Sequence, residues 1–149
     1  MKNILLFGKV GQVGWELRRT LAPLARVTCI DYPDVDFTRP DSVRGAITAA
    51  APDVIINAAA YTAVDKAESE LALATQINAD APGIMAEEAR KRGALLVHYS
   101  TDYVFDGTKT TPYVETDAPN PLGAYARTKH AGDEAIRAAG CDHLIFRLC

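Results

Sequence analysis

Residues 4–14 read ILLFGKVGQVG, a short apolar run followed by three glycines at intervals of three. The run is continuous rather than alternating, which is typical of a strand buried on both faces. Gly8 lets the chain turn tightly off that strand, Gly11 lets the backbone approach a pyrophosphate, and Gly14 lets the next helix pack closely. The helix N-terminus then offers free N–H groups to phosphates. A plain glycine turn is the alternative, but this position between strand and helix favours a dinucleotide site.

The rest of the chain repeats the same alternation of short apolar runs and longer amphipathic stretches. The further runs are Val27–Ile30, Val54–Ile56, Leu95–Val97 and Leu144–Phe146, and the helical stretches span about 12–22, 41–50, 70–91 and 124–139. We expect Asp41 to cap the second helix, Pro82 to kink the third, and Gly93 and Gly140 to follow the last two. The pattern predicts an α/β fold, a doubly wound parallel sheet of Rossmann-type order 3-2-1-4-5 with helices on both faces.

Length and charge limit the classes of protein to consider. The 149 residues suit one domain, so residues 1–149 are predicted to form a dinucleotide-binding domain. A net charge of −3 argues against a nucleic-acid partner, and no apolar run reaches the ~20 residues of a membrane span. The N-terminal run is too short for a signal peptide, which predicts a cytoplasmic protein. Because the fifth run lies almost at the C-terminus, we expect a C-terminal substrate domain to be absent from this chain.

Asp31 ends the second apolar run, 17 residues after Gly14. A carboxylate at this place accepts hydrogen bonds from the adenosine ribose and repels a 2′-phosphate. No arginine occurs within residues 32–37 to bind that phosphate. The residue therefore predicts a preference for NADH over NADPH, the alternative being a turn residue before Pro33.

Tyr125 and Lys129 are four residues apart on the fourth helix, so they share a helix face. Lowering the pKa of a tyrosine by ~3 units requires about 4 kcal/mol, which a nearby ammonium and a nicotinamide cation help to supply. Thr101 follows the fourth strand, at the sheet edge where α/β proteins bind ligands. We expect phenol, ammonium and hydroxyl to converge there. The alternatives are a solvated helix face, and a Thr101 that caps a turn with Asp102.

Several longer stretches carry a family resemblance. They read ILLFGKVGQVGWEL at 4–17, PDVIINAAAYTAVDKAE at 52–68, HYSTDYVFDG at 98–107, PYVETDAPNPLGAYARTKHAGDE at 112–134 and HLIFR at 143–147. Together they resemble the extended short-chain dehydrogenase/reductase superfamily, and within it the dTDP-4-dehydrorhamnose reductase family. The resemblance implies NADPH- or NADH-dependent reduction of the 4-keto group of dTDP-4-dehydro-L-rhamnose to dTDP-L-rhamnose, in dTDP-rhamnose biosynthesis.

The resemblance also implies roles for individual residues. The catalytic set is Thr101, Tyr125 and Lys129, and the substrate contacts are Thr101 and Asp102. Beside Gly8 and Gly14, which the spacing already assigns to the cofactor turn, the implied cofactor contacts are Gly11, Gln12 and Val13 in the turn, Asp31 at the ribose, Asp36 and Phe37 at the adenine, Ala60, Tyr61 and Thr62 along the cofactor backbone, and Tyr99, Tyr125 and Lys129.

The chain departs from the family at Val10, where relatives usually carry threonine. Some members form a homodimer through Mg²⁺, with a matching position at Glu16, but the other ligands would lie beyond residue 149, so no metal is predicted. Two alternatives stay open. One is a related nucleotide-sugar epimerase or dehydratase. The sequence argues against a dehydratase, because these enzymes prefer a glutamate directly after the threonine and none follows Thr101. The other is a non-catalytic dinucleotide-binding regulatory module.

Overall fold

The computed structural model describes all residues from Met1 to Cys149. Its strands are β1 (Asn3–Phe7), β2 (Arg26–Ile30), β3 (Val54–Asn57), β4 (Leu95–Thr101) and β5 (His143–Leu148). Its α-helices are α1 (Gln12–Leu21), α2 (Pro40–Ala50), α3 (Val64–Ala67), α4 (Leu71–Thr75), α5 (Ala81–Arg92) and α6 (Ala124–Ala139). A π-helical turn spans Gln76–Asp80, and a 3₁₀ turn spans Asp102–Val104. No helix is both long and apolar enough to cross a membrane.

The five strands form one parallel sheet in the order β2-β1-β3-β4-β5. The predicted fold class is therefore confirmed, but the predicted order 3-2-1-4-5 is wrong, because β3 lies beside β1 rather than outside β2. The burial of each strand gives the physical reason. Three of the four β3 residues are buried, as a strand with neighbours on both sides requires. No residue of β2 is fully buried, which suits the edge.

Alternate side chains of β1 point to opposite faces of the sheet. Leu5 and Phe7 join the larger core, which α2, α5 and α6 cover, whereas Ile4 and Leu6 join a smaller core beneath α1. Helices on both faces are thus confirmed, although the cover is unequal. On the α1 side, the β5 side chains Leu144, Phe146 and Leu148 remain 41–48% exposed.

The third predicted helical stretch is irregular at Gln76–Asp80, where the chain forms the π-helical turn. This turn lies just before Pro82, where a kink was predicted. Proline has no N–H to bond the carbonyl one turn earlier. The hydrogen bonds there take a wider register, with the Ala81 N–H donating to the Gln76 carbonyl. The Asn78 carbonyl packs against α6, where a Cβ on Gly132 would lie 2.1 Å from it. The irregular turn therefore fixes how closely α6 approaches.

The helix ends are partly as predicted. Gly93 and Gly140 follow α5 and α6 with φ values of +64° and +67°, as expected. The Asp41 cap is wrong, because α2 begins at Pro40 and Arg39 takes the N-cap position without a side-chain bond. Asp41 lies in the first turn instead, where its charge favours the helix dipole.

Candidate active site

Packing requires two of the three glycines in the turn after β1, and it does not require the third. Gly8 has φ +86°, and a Cβ there would lie 2.5 Å from backbone atoms of Ala58 and Ala59. A Cβ on Gly14 would lie 1.9 Å from the Gly8 oxygen. At Gly11 the nearest atom is 3.7 Å away, an ordinary contact. The fold therefore requires Gly8 and Gly14, while the bare backbone at Gly11 is what an approaching ligand needs.

The N-terminus of α1 opens at this turn. Gly11 is its N-cap and makes no side-chain bond, and the first turn carries no acidic residue. The first-turn amides of Gln12 and Val13 therefore keep the positive end of the helix dipole uncompensated by side chains. Backbone and dipole together suit an anionic group such as a pyrophosphate.

Asp31 lies beside the turn, at the end of β2. Its carboxylate accepts hydrogen bonds from the Val10 N–H at 3.3 Å and from the Tyr32 N–H at 2.9 Å. Further along the same loop, Asp36 accepts two hydrogen bonds from Thr38, and these bonds lower the pKa of its carboxyl group. Phe37 packs edge-on against Phe7, with 5.9 Å between ring centroids. Asp31 therefore ties the start of this loop to the glycine turn, and Phe37 packs its later part against β1.

A cavity of about 180 Å³ brings together residues that follow β3, the last residues of β4, the end of β5 and residues on α6. Thr101, Tyr125 and Lys129 all line it, together with Ala60 and Tyr99. Ala58 and Ala59 also line it, and these are the residues that Gly8 packs against. The catalytic set predicted from the sequence therefore converges next to the glycine turn.

Thr101 is buried and makes two local hydrogen bonds. Its Oγ1 accepts from the Tyr103 N–H and donates to an Asp102 oxygen, both at 3.2 Å. The turn-capping alternative is thus realised, and the hydroxyl still lines the cavity.

The Tyr125 phenol is half-buried. Burial raises the pKa of Tyr125, Asp102 and Tyr103 raise it further, and the Thr101 hydroxyl acts in the opposite direction. The sequence predicted that Lys129 and a bound nicotinamide cation together lower this pKa, and within the chain alone burial raises it. A raised pKa keeps the phenol protonated at neutral pH.

Lys129 is only 2% exposed, and its ammonium is turned inward. Its Nζ donates to the Tyr99 carbonyl at 2.7 Å and lies 3.3 Å from His98 Nε2. Burial lowers the pKa of Lys129 to about 8. The burial and the inward contacts of Lys129 exclude the solvated helix face considered as the alternative.

Asn78 is a functional candidate that sequence reasoning missed. Its side chain accepts from the Tyr61 N–H at 2.8 Å, and donates to the Tyr61 carbonyl at 3.1 Å and to Thr128 Oγ1 at 3.2 Å. Tyr61 itself donates to Glu70 at 2.5 Å, which raises the pKa of Tyr61 to about 12, while Thr62 is exposed. Asn78 thus ties the segment after β3 to α6. The signal in the sequence was an amide side chain inside a predicted helical stretch, four residues before Pro82.

Glu68 was also missed. Its Oε1 accepts from the Ala124 N–H at 2.6 Å, and its other oxygen lies 3.8 Å from Arg127. Gly123, the N-cap of α6, offers no side chain of its own, so a carboxylate 56 residues away caps the helix that carries Tyr125. No local pattern in the sequence connects these two segments.

Tyr125 also borders a second, larger cavity of about 820 Å³. Its lining includes Asp102, Tyr103, Phe105, Leu122 and Arg147. Of the two substrate contacts expected from the sequence, Asp102 faces this cavity and Thr101 faces the smaller one. The phenol therefore stands between a small site next to the glycine turn and a larger site next to the loop 105–123.

Comparison with known proteins gives consistent results. The family described as "RmlD substrate binding domain" matches residues 1–149. A dTDP-4-dehydrorhamnose reductase of Salmonella typhimurium is 52% identical over 149 residues, covering 97% of this chain and 50% of that protein. The solved reductase of Clostridium acetobutylicum has a TM-score of 0.93 at 40% identity, covering 97% of this chain and 52% of the other. That of Bacillus anthracis, in complex with NADP, has a TM-score of 0.93 at 35% identity, covering 99% and 53%. The chain spans about half the length of the curated relatives it matches.

Proposed function

Since this chain belongs to the RmlD substrate binding domain family, we propose that it binds NADPH or NADH and provides the catalytic residues for reducing the 4-keto group of dTDP-4-dehydro-L-rhamnose. The names of its relatives support this substrate. The observation that carries the proposal is the place of Tyr125, which borders both cavities, with Thr101 and Lys129 in the one beside the glycine turn.

The reaction divides between the coenzyme and three side chains. When bound, the reduced nicotinamide supplies the hydride that reaches carbon 4 of the sugar. Tyr125 donates its phenolic proton to the carbonyl oxygen, and its raised pKa keeps that proton in place at neutral pH. Thr101 exchanges its bond to Asp102 for one to the same oxygen. Lys129, whose Nζ donates to the Tyr99 carbonyl, is the residue that would hold the nicotinamide ribose.

The turn supports a dinucleotide on two grounds, the bare backbone at Gly11 and the uncapped start of α1. The choice between the two coenzymes depends on the surroundings of Asp31. Its carboxylate favours a free ribose, whereas Lys9, next to the Val10 that bonds Asp31, is a cation that would attract a 2′-phosphate if it left its partner Asp34. Titrating the chain with NADH and NADPH in turn measures this preference, and comparable affinities would refute the preference for NADH that Asp31 predicts.

Tyr125→Phe tests the catalytic assignment. In a chain of the relatives' full length, assayed with dTDP-4-dehydro-L-rhamnose, we expect kcat to fall by about 10²–10⁴-fold while the coenzyme Kd stays nearly constant. Tyr113→Phe is the matched control, because that phenol lines the larger cavity and bonds Asp106. Full turnover by Tyr125→Phe would contradict the assigned role.

A second candidate function is binding of the dinucleotide without turnover, as in a regulatory module. The bare backbone at Gly11 and the uncapped start of α1 favour it, because both serve binding and neither serves the chemical step. Steady-state NADH oxidation by the chain with the keto sugar would exclude this. Consumption of reduced coenzyme in proportion to product would separate a reductase from an epimerase or dehydratase. A cytoplasmic location and a homodimer stay predictions.

A further inference from the structure

A group of buried polar side chains surrounds Lys129, and it includes Asn57, His98 and Asp133, which do not line the cavity. We call it the Lys129 cluster, and its members are Asn57 on β3, His98 and Ser100 on β4, and Lys129 and Asp133 on α6. Each is at most 6% exposed. Three of the five are titratable, and buried charges are retained only at a cost in stability. The proposed reaction uses Lys129 and leaves the other four without a role.

The hydrogen bonds of Asn57 determine which nitrogen of His98 carries the proton. The Ala59 N–H can only donate, and it donates to Asn57 Oδ1 at 3.1 Å. The Asn57 amide nitrogen therefore faces His98 Nδ1, at 3.1 Å, and donates to it. Nδ1 is then an acceptor, so the neutral ring carries its hydrogen on Nε2. Burial and the nearby Lys129 lower the pKa of His98, which keeps the ring neutral.

Two groups face this Nε2–H. Lys129 Nζ lies 3.3 Å away and Asp133 Oδ1 lies 3.8 Å away. A charged ammonium has no lone pair, so it cannot accept the Nε2–H, whereas a neutral amine can. Asp133 Oδ1 is buried and has no hydrogen-bond partner, while its other oxygen accepts from Ser100 Oγ at 2.6 Å. The unused oxygen is therefore an acceptor for the same hydrogen.

We infer that His98 is a fixed-tautomer donor that gives its Nε2–H to Lys129 when the amine is neutral and to Asp133 when it is charged. Asp133 is then the buried counter-ion of the ammonium, and His98 couples their positions. The 3.3 Å contact is the geometry of the neutral amine, and a movement of less than an ångström closes the longer contact to Asp133. His98 and Asp133 are positioning residues, because neither lines the cavity.

Other charges near the cluster act on Asp133. Arg137, one turn further along α6, and Arg147 on β5 both lower the pKa of its carboxyl group, against the rise that burial causes. Facing Lys129 are His98 and the Tyr99 carbonyl from β4, with Asp133 and Tyr125 on α6 itself. The inference gains its functional meaning from the proposed role of Lys129 at the coenzyme, but the proton arrangement stands without it.

Nuclear magnetic resonance of the 149-residue chain tests the arrangement with no coenzyme or substrate present. The chain has three histidines, so the ring nitrogens of His98 can be assigned. We expect the Nε2–H tautomer at every pH from 6 to 10. We also expect its ring signals to change at the midpoint of the Lys129 titration, about 8, with no sign of an imidazolium. An Nδ1–H tautomer, or ring signals indifferent to Lys129, would overturn the inference.

Asp133→Asn keeps the shape of the side chain and removes its charge. We expect the Lys129 midpoint, followed at its side-chain nitrogen, to fall by about 1–3 units. The control is Glu134→Gln, the next residue on α6, whose carboxylate is exposed and bonds Arg137, and it should leave the midpoint in place. An unchanged midpoint in Asp133→Asn would refute the counter-ion role.

The tautomer measurement uses the unmodified chain, so the inference can still be tested if Asp133→Asn fails to fold. Because both readouts are taken without coenzyme, they can fail while the reductase proposal holds, and the reverse is also true. In a chain of full length, Asp133→Asn should move the alkaline limb of the kcat/KM profile to lower pH, whereas Glu134→Gln should not.

Discussion

The glycine turn and the Lys129 cluster flank one candidate site and are built in different ways. The turn spans residues 8–14, and the contacts that shape it are with backbone atoms. The cluster joins five side chains from positions 57 to 133, on three elements of the fold. The turn leaves room for close backbone approach because its glycines have no Cβ atoms to fill the space. The cluster holds its place with buried polar groups that must satisfy one another.

This difference has consequences for stability. A bare backbone and a helix dipole cost the fold little, so the turn can be both rigid and ready for an anion. Burying an amine and a carboxylate removes both from water, and their attraction repays this only in part. We therefore expect that adding side chains to the turn lowers the stability of the fold through steric clashes. Removing the buried charges of the cluster should show how much stability the fold loses by burying them.

The largest effect is expected from Gly14→Ala. The added Cβ would lie 1.9 Å from the Gly8 oxygen, so helix or strand must move, and we expect a loss of about 3 kcal/mol or more in the free energy of unfolding. Gly11→Ala is the matched control, because its Cβ would meet nothing closer than 3.7 Å. Urea unfolding of both variants measures the contrast.

Coenzyme binding sharpens the same contrast. Gly11→Ala should keep the fold and still lose affinity for NADH by about tenfold or more, equivalent to about 1.4 kcal/mol, because the methyl group occupies the path of the pyrophosphate. Calorimetric titration gives the affinity. Wild-type binding by a folded Gly11→Ala would show that the phosphates do not pass over this residue.

The contrast also explains what the sequence could predict. The determinants of the turn lie within seven residues of one another, so spacing alone located Gly8, Gly11 and Gly14. The strand order could not be found in this way, because a four-residue run such as Val54–Asn57 does not state which neighbours bury it. The inward turn of Lys129 was likewise hidden, since a helix face shared with Tyr125 gives no information about the Tyr99 carbonyl or His98.

Exchanging both charged members of the cluster should change stability in the opposite direction. We expect Lys129→Met/Asp133→Asn to equal the wild type or exceed it by about 1–4 kcal/mol at pH 7, because no buried charge remains. Lys129→Met alone should be less stable than the double variant, since it leaves Asp133 without its partner. Urea unfolding of the single and double variants completes the cycle, and a double variant well below the wild type would show that the pair stabilises the fold.

The pH dependence of stability follows from the same burial. The pKa of Lys129 is about 8 in the folded chain, against an ordinary value of 10.5. Between these values the unfolded chain binds more protons at this residue, so its contribution to stability rises with pH. The destabilisation is fully present below about 8 and is lost as the pH approaches 10.5. Lys129→Met should lack this rise, and equal slopes for both proteins from pH 8 to 10 would contradict the burial.

The smallest effect is expected at Glu68, because its carboxylate reaches the start of α6 from a distant segment across an exposed surface. Its carboxylate takes the place of the cap that Gly123 lacks, by accepting from the Ala124 N–H. Glu68→Ala removes both bond and charge, and we expect a loss of about 0.5–2 kcal/mol by urea unfolding. Glu68→Gln keeps an oxygen acceptor and should lose less, with only the interaction with the helix dipole missing. Equal losses in the two variants would assign the effect to charge rather than to the cap, and no loss in either would mean that packing against α5 and the π-helical turn holds α6 without the cap.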